Sequence, residues 1–170
     1  AIMTKDEVKR IFSHLRGKHL LMARLLYGSG LRLMECVRLR VHQINFKRNI
    51  IFIRSVKGGK ERSVMIPKTI REDLLEQVET VRKFHNKDLA QGSGRVTIPT
   101  GFGVKYEGTE NEFIWQFVVP SKKITTDQRS GLKGRFHVLE SGLQKAVQTA
   151  VKKAQIGRKI ACNNFRHSFA

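Results

Sequence analysis

The sequence predicts an α+β domain, mainly helical, with one small three-stranded antiparallel sheet. Three observations predict it. Apolar residues recur at helical period near both ends and in the middle of the chain. Between Gln43 and Ile66 the pattern shortens to that of strands. The 170 residues are 40% apolar and carry no internal repeat, enough for a single domain with its own hydrophobic core.

Thr4-Lys5-Asp6-Glu7 has the spacing of a capping box, and Val8, Ile11, Phe12 and Leu15 follow at helical period. A first helix therefore runs to about His14 or Arg16, and Gly17 ends it. Leu20 to Tyr27 form a second helix, terminated by Gly28 and Gly30, and Leu31 to Leu39 a third behind that glycine turn. Arg32 falls at a helix start. Gln43 to Phe46, Ile50 to Val56 and Arg62 to Ile66 are short and rich in Ile, Val and Phe, with turns at Lys47 to Asn49 and at Gly58-Gly59. They make the sheet, and Pro67 closes it.

Thr69 to about Leu89 place Ile70, Leu74, Leu75, Val78, Val81 and Phe84 on one helical face. Ala90 to Asn111 are glycine-rich without clear period, and Phe113 to Val119 form an aromatic strand-like run ended by Pro120. Ser121 to Arg135 read as a basic loop. Leu139 to Gln155 form a helix with Leu143, Val147, Ala150, Val151 and Ala154 inward, Gly157 stops it, and Asn163 to Ala170 open another.

Lys and Arg number 33 against 14 Asp and Glu, a net charge of +19, which exceeds what solubility requires and implies a polyanionic partner, nucleic acid first. No run approaches the roughly 20 apolar residues that span a membrane, and residues 1–16 lack the apolar stretch of a signal peptide. No membrane partner is expected, and the location expected is intracellular. Cys36 and Cys162 have no CxxC or paired Cys/His spacing, so neither a disulfide framework nor a metal site is expected, and both read as buried small apolar residues.

A polyanion-binding chain with arginines at helix starts can do phosphoryl chemistry. Charge develops on the non-bridging oxygens of a phosphodiester in transfer, and the planar arginine fork holds them without losing its own charge. Lysine's titratable ammonium is better suited to protonating a leaving oxygen, and Lys57-Gly58-Gly59-Lys60, between two strands, could deliver one. Alone, each motif is better explained by a solvated turn or a surface or phosphate-positioning residue. The double glycine is not a phosphate-binding P-loop, because the GxxxxGK[ST] spacing is missing and a strand follows it.

Taken together, LLYGSGLRLMECVRLRV, VKGGKERSVMIP and NNFRHSFA resemble the catalytic domain of tyrosine recombinases, the phage-integrase family, in order and spacing over essentially the whole chain. The resemblance implies that Arg32, Lys57 and Arg166 bind and activate a scissile DNA phosphate without metal or other cofactor. Lys57 would act as general acid, and Glu35, one turn from Arg32, would support the site. VRKFHNKDLAQGSGRVTIP, NEFIWQFVVPSKK and the run from Asp127 to Ile156 look like integron integrases. That subfamily implies a short helix around Glu107 to Phe113, and bases flipped from a folded single-stranded cassette site. Phe113, Trp115, Tyr106 and His137 would stack on such bases; alternatively, Trp115 and Phe117 fill a core. Lys60, Arg62, Lys122, Lys123, Arg129, Lys133 and Arg135 are expected as DNA contacts.

Two departures qualify the resemblance. Asn163 occupies the family's histidine position three residues before the arginine, and Asn can hydrogen-bond a phosphate but cannot shuttle a proton. His167 is assigned to packing. The family's nucleophilic tyrosine and later His/Trp box lie beyond the stretch matching HSFA, and its core-binding domain precedes the stretch matching residue 1. The expectation is therefore a partial catalytic domain, with no nucleophile among these residues, unable to cleave alone and prone to self-association through an uncovered edge. Duplex DNA and folded single-stranded cassette sites are the expected partners, in a bacterial, cytoplasmic, nucleoid-associated setting. The competing readings are a non-catalytic DNA-binding remnant or regulator and, on charge alone, an RNA-binding protein.

Overall fold

The computed structural model describes residues 2–54, 60–99 and 109–168. In chain order these form α1 (Lys5–Phe12), α2 (Gly17–Ser29), α3 (Leu33–Val37), β1 (Ile44–Asn45), β2 (Ile50–Arg54), β3 (Glu61–Met65), α4 (Lys68–Ala90), β4 (Thr125–Thr126), β5 (Lys133–Gly134), α5 (Glu140–Lys153) and α6 (Cys162–His167). The predicted mix of helices with a three-stranded antiparallel sheet is the fold observed; the sheet order is β1-β2-β3. The chain divides into two compact units, one of Ala1–Val37, Asn45–Leu74 and Leu139–Ala170, the other of Arg38–Ile44 and Leu75–Val138. Among the described residues no helix is long and apolar enough to cross a membrane.

In the first unit, the capping box forms as its spacing requires: Glu7 N–H donates to Thr4 Oγ1 at 3.1 Å, and Thr4 N–H to Glu7 Oε1 at 2.9 Å. Gly17 opens α2 rather than ending α1. Helix α1 stops at Phe12, where the Ser13 N–H still donates to the Lys9 carbonyl, and the turn that follows returns Leu15 to the core at 4% exposure. Gly17 then takes φ +56° at the start of the next helix. The core gathers Ile11, Leu25, Leu26, Leu31, Ile51, Ile66, Leu74, Leu143 and Phe165, all buried. Phe165 is fully buried and stacks on Phe12 at 5.5 Å, which seats α6 in this core; burial of such a ring stabilises by about 3 kcal/mol. Cys36 and Cys162 are both buried here, and desolvation pushes both thiols up, Cys162 to about 11.

The hairpin register fixes which strand residues face inward. Ile51 pairs with Val64, Ile53 with Arg62 and Phe52 with Ser63. Paired residues share a face, so Arg62 lies on the inner face with the buried Ile51 and Ile53, while Phe52 and Ser63 face out.

The second unit is built around a run that sequence periodicity reads as a strand and that is mostly not one. Phe113–Trp115 make one 3₁₀ turn, and Trp115 to Val119 are then buried in succession. Continuous burial requires partners for each polar group. Val118 N–H donates to the Leu39 carbonyl, Val41 N–H to Gln116, Gln77 to the Val118 carbonyl and Gln116 to the Gly94 carbonyl. Residues 107–108 of the short helix expected near Glu107 to Phe113 lie outside the described residues, and the turn at 109–112 is not helical. The basic 121–135 segment, expected as a loop, contains a small ribbon: Thr125 pairs with Gly134 and Thr126 with Lys133. Asp127 organises its turn by accepting from Thr97 Oγ1 at 2.7 Å and from the Arg129 N–H at 2.8 Å.

Candidate active site

The site is assembled in the first unit from the end of α2 onward. Gly28 packs so closely on Pro67 that a Cβ there would lie 2.6 Å from its Cγ, and Gly30 caps α2 in the left-handed region at φ +66°. Ser29 Oγ donates to the Met65 carbonyl at 2.9 Å, tying the same turn to β3. The chain thus leaves α2 along one fixed path and delivers Arg32 to the start of α3.

Arg32 begins that helix in both hydrogen-bonding senses. Its carbonyl accepts from the Cys36 N–H at 3.0 Å, and its own N–H donates to Glu35 Oε1 at 2.8 Å. Its side chain is exposed and has no hydrogen-bond or ion-pair partner among the described residues. Arg166, half-buried on α6, donates its Nε to the Gly30 carbonyl at 2.9 Å across 136 positions of sequence. That bond brings the second arginine box to the turn that carries the first. The Arg166 Nη groups have no partner among the described residues, so the fork stays available to an anion.

Asn163 is exposed three residues before Arg166, on the same side of α6. Asn164, its neighbour, instead caps the helix by accepting from the Ala161 N–H at 2.7 Å. His167 is exposed, which corrects the packing role expected of it. Lys57 lies outside the described residues, and Lys60 is exposed immediately before β3. Tyr27 is half-buried edge-on to Phe12 at 6.0 Å, and Tyr106 lies outside the described residues.

Arg62, expected at the DNA, is held elsewhere. Its Nη1 and Nη2 donate to the two Glu35 oxygens at 2.7 and 2.6 Å. Burial pushes the Glu35 carboxyl up, but the hydrogen bonds from Arg62 and the Arg32 N–H outweigh it and hold the group below the ordinary range.

The second unit carries the other expected DNA contacts, and the structure sorts them. Lys122, Lys123, Arg129 and Lys133 are exposed on or beside the β4–β5 ribbon. Arg135 is turned inward: Nε and Nη2 meet both oxygens of the buried Asp88 at 2.8 and 3.1 Å, and Nη1 reaches the Lys122 carbonyl at 2.6 Å. A cation tied on three sides and 16% exposed has no free fork for phosphate. Trp115 is 2% exposed and packs with Val96 and Phe117, and His137 is 7% exposed with Nδ1 at 2.7 Å from the Val138 carbonyl. Neither ring presents a face on which a flipped base could stack. Phe113 is half-buried and already covered by the Arg82 guanidinium at 4.2 Å.

Two functional-looking groups escape sequence reading. Arg40, one cation among several in VRLRVH, is half-buried over the Phe117 ring at 4.3 Å with Nη bonds to the Trp115 and Thr97 carbonyls; desolvation lowers it to about 10, and no sequence signal marks it. Asp88 does have a signal: Val78, Val81, His85 and Asp88 form one helical stripe, so its position is inward.

The arrangement anchors Arg166 to Gly30, two residues before the exposed Arg32. The chain belongs to the phage integrase family, which matches residues 1–170. An integrase/recombinase of Escherichia coli is 37% identical over 169 residues, covering 99% of this chain and 50% of that protein. The chain therefore spans about half the length of this curated relative. Among solved structures it is similar to a XerA recombinase, with TM-score 0.62 and 18% identity over 99% of this chain and 48% of that one. It is also similar to the XerH site-specific recombinase bound to its difH substrate in a pre-cleavage complex, with TM-score 0.61 and 17% identity over 99% and 41%. These likenesses establish the fold.

Proposed function

We propose that the protein containing this chain carries out site-specific DNA recombination by phosphodiester transesterification, and that residues 1–170 supply its phosphate-binding cradle. The observation that carries the reading is the Arg166 Nε to Gly30 bond, which sets the two arginine boxes side by side with both forks open. In this reading a tyrosine hydroxyl from outside these residues attacks phosphorus and forms a 3′-phosphotyrosine, while the 5′ oxygen leaves. Arg32 and Arg166 stabilise the charge on the non-bridging oxygens, and Lys57 gives its proton to the leaving oxygen. Asn163 holds the phosphate by hydrogen bonding in place of the family's histidine.

Duplex DNA is the proposed substrate, with exposed Lys60, Lys122, Lys123, Arg129 and Lys133 as sequence-independent backbone contacts. The similarity of the XerH complex supports this partner. The integron-like strings extend the proposal to folded single-stranded cassette sites, with self-association of protomers on the DNA. The buried Trp115 and His137 cannot supply the stacking there, so Tyr106 is the remaining aromatic candidate.

Cleavage of a suicide DNA substrate by the full-length protein tests the reading. The wild type should accumulate covalent product and Arg32→Ala should not; full activity of Arg32→Ala would overturn it. One observation favours a second reading, a DNA-binding module without cleavage: the proton-shuttling position is Asn163. Intact binding with no covalent product from the wild type would select it.

A further inference from the structure

Arg62 sits where a basic residue near a DNA site would ordinarily be assigned to phosphate, and three observations set it apart. The hairpin register pairs it with Ile53 on the inner face of the sheet, not on the outer face with Phe52 and Ser63. Both Nη groups are committed to one carboxylate, Glu35, at 2.7 and 2.6 Å. Glu35 in turn accepts the backbone N–H of Arg32 at 2.8 Å, and the Arg32 side chain has no other hydrogen-bond restraint among the described residues.

We propose that Arg62 is a positioning residue for the phosphate site, acting through Glu35 to fix the helix start that carries Arg32. The inference rests on the recombinase reading above. Its physical basis is a relay of three groups. Without Arg62, a half-buried carboxylate keeps the Arg32 N–H as its one donor and is free to rotate, so the acceptor at the first turn of α3 is no longer fixed in place. Misplacement by about 1 Å in a preorganised site costs on the order of a hundredfold in rate. Lysine cannot replace the arginine fully, because one ammonium cannot bridge both carboxylate oxygens in the geometry of the fork.

The test uses the full-length protein and three readouts: single-turnover cleavage of a suicide duplex, the salt dependence of duplex binding, and the pH profile of cleavage. Arg62→Gln should lower the cleavage rate by about ten- to a hundredfold, with Arg62→Lys intermediate. Its binding should keep the wild-type salt slope, whereas a lost phosphate contact would make the slope shallower by about 0.9. The charged groups facing Glu35 are Arg62 from β3 and Arg32 from its own helix. With Arg62 removed, its hydrogen bonds and charge no longer hold the Glu35 carboxyl down, the carboxyl moves up, and cleavage by Arg62→Gln should fall on the acid side at a higher pH than the wild type.

A wild-type cleavage rate in Arg62→Gln, or a shallower salt slope, would overturn the proposal. Arg32→Ala separates the two levels of inference. An inactive Arg32→Ala beside an active Arg62→Gln removes only the positioning role, while an active Arg32→Ala removes the site itself. Should Arg62→Gln fail to fold by circular dichroism, Arg62→Lys carries the same three readouts, and a wild-type profile there would equally refute the idea.

Discussion

Arg166 divides its guanidinium between structure and chemistry. The Nε holds the Gly30 carbonyl and the Nη pair has no partner among the described residues, so shortening this side chain removes both an anchor and the proposed anion donor. Arg166→Ala should lower single-turnover cleavage by the full-length protein by about 10² to 10³, the loss seen when one preorganised donor to transition-state charge is removed. Asn163 gives a prediction of opposite sign. Asn163→His places a titratable imidazole one helical turn from Arg166, and should raise the cleavage rate about tenfold or more and add a limb near pH 6.5 to its pH profile. His42 predicts a pH effect on stability. Burial and the neighbouring Arg40 push its imidazole down to about 4, so the unfolded chain binds the extra proton first. Its contribution is complete above the unfolded value near 6.5 and is lost as pH falls toward 4. Urea midpoints should drop across that window in the wild type, and His42→Gln should flatten the drop.

At the scale of elements, Phe165 packs α6 into the core of the first unit, and the Asp88–Arg135 pair is the buried ion pair of α4. Phe165 is fully buried against Phe12, and Phe165→Ala should destabilise the first unit by about 3–5 kcal/mol and release α6, with Arg166 attached, from the α2 turn. Both urea unfolding and cleavage should report that change. In the second unit, Asp88 is 2% exposed on its side chain and satisfied by Arg135. Asp88→Ala leaves a half-buried guanidinium without its carboxylate and should cost about 3 kcal/mol, whereas an exposed pair such as Arg82 with Glu79 is worth well under that. The turn between α2 and α3 is limited by backbone approach: a methyl on Gly28 would meet Pro67 at 2.6 Å, so Gly28→Ala should cost about 1–3 kcal/mol.

For the molecule as a whole, the net charge of +19 would govern the proposed DNA binding more than any single contact. Duplex affinity should fall steeply and linearly with the logarithm of salt. Replacing any one of Lys122, Lys123, Arg129 or Lys133 by Gln should reduce that slope by about 0.9 where the side chain meets a phosphate, with little change in sequence preference. Comparing hairpin DNA, duplex DNA and RNA at two salt concentrations checks the partner class, and a preference for RNA would contradict it. Light scattering tests self-association, with a monomeric mass on DNA as the contrary result.

Local chemistry was legible from sequence wherever it depended on spacing along the chain. Thr4 and Glu7 announce a capping box, the glycines after Tyr27 announce a turn, and the three strings around Arg32, Lys57 and Arg166 announce the family. Which way a charged side chain points depended on neighbours distant in sequence. Arg62, Arg135 and Lys133 are alike as letters in a basic stretch; only the register of β3, the buried carboxylate of Asp88 and the exposed ribbon separate two structural cations from one open to solvent. Trp115 and His137 follow the same rule, because an aromatic ring suits a flipped base and a core equally well until packing decides. Periodicity and capping act over a few residues and are written in the chain; desolvation and ion pairing act between segments, so only the tertiary structure could decide them.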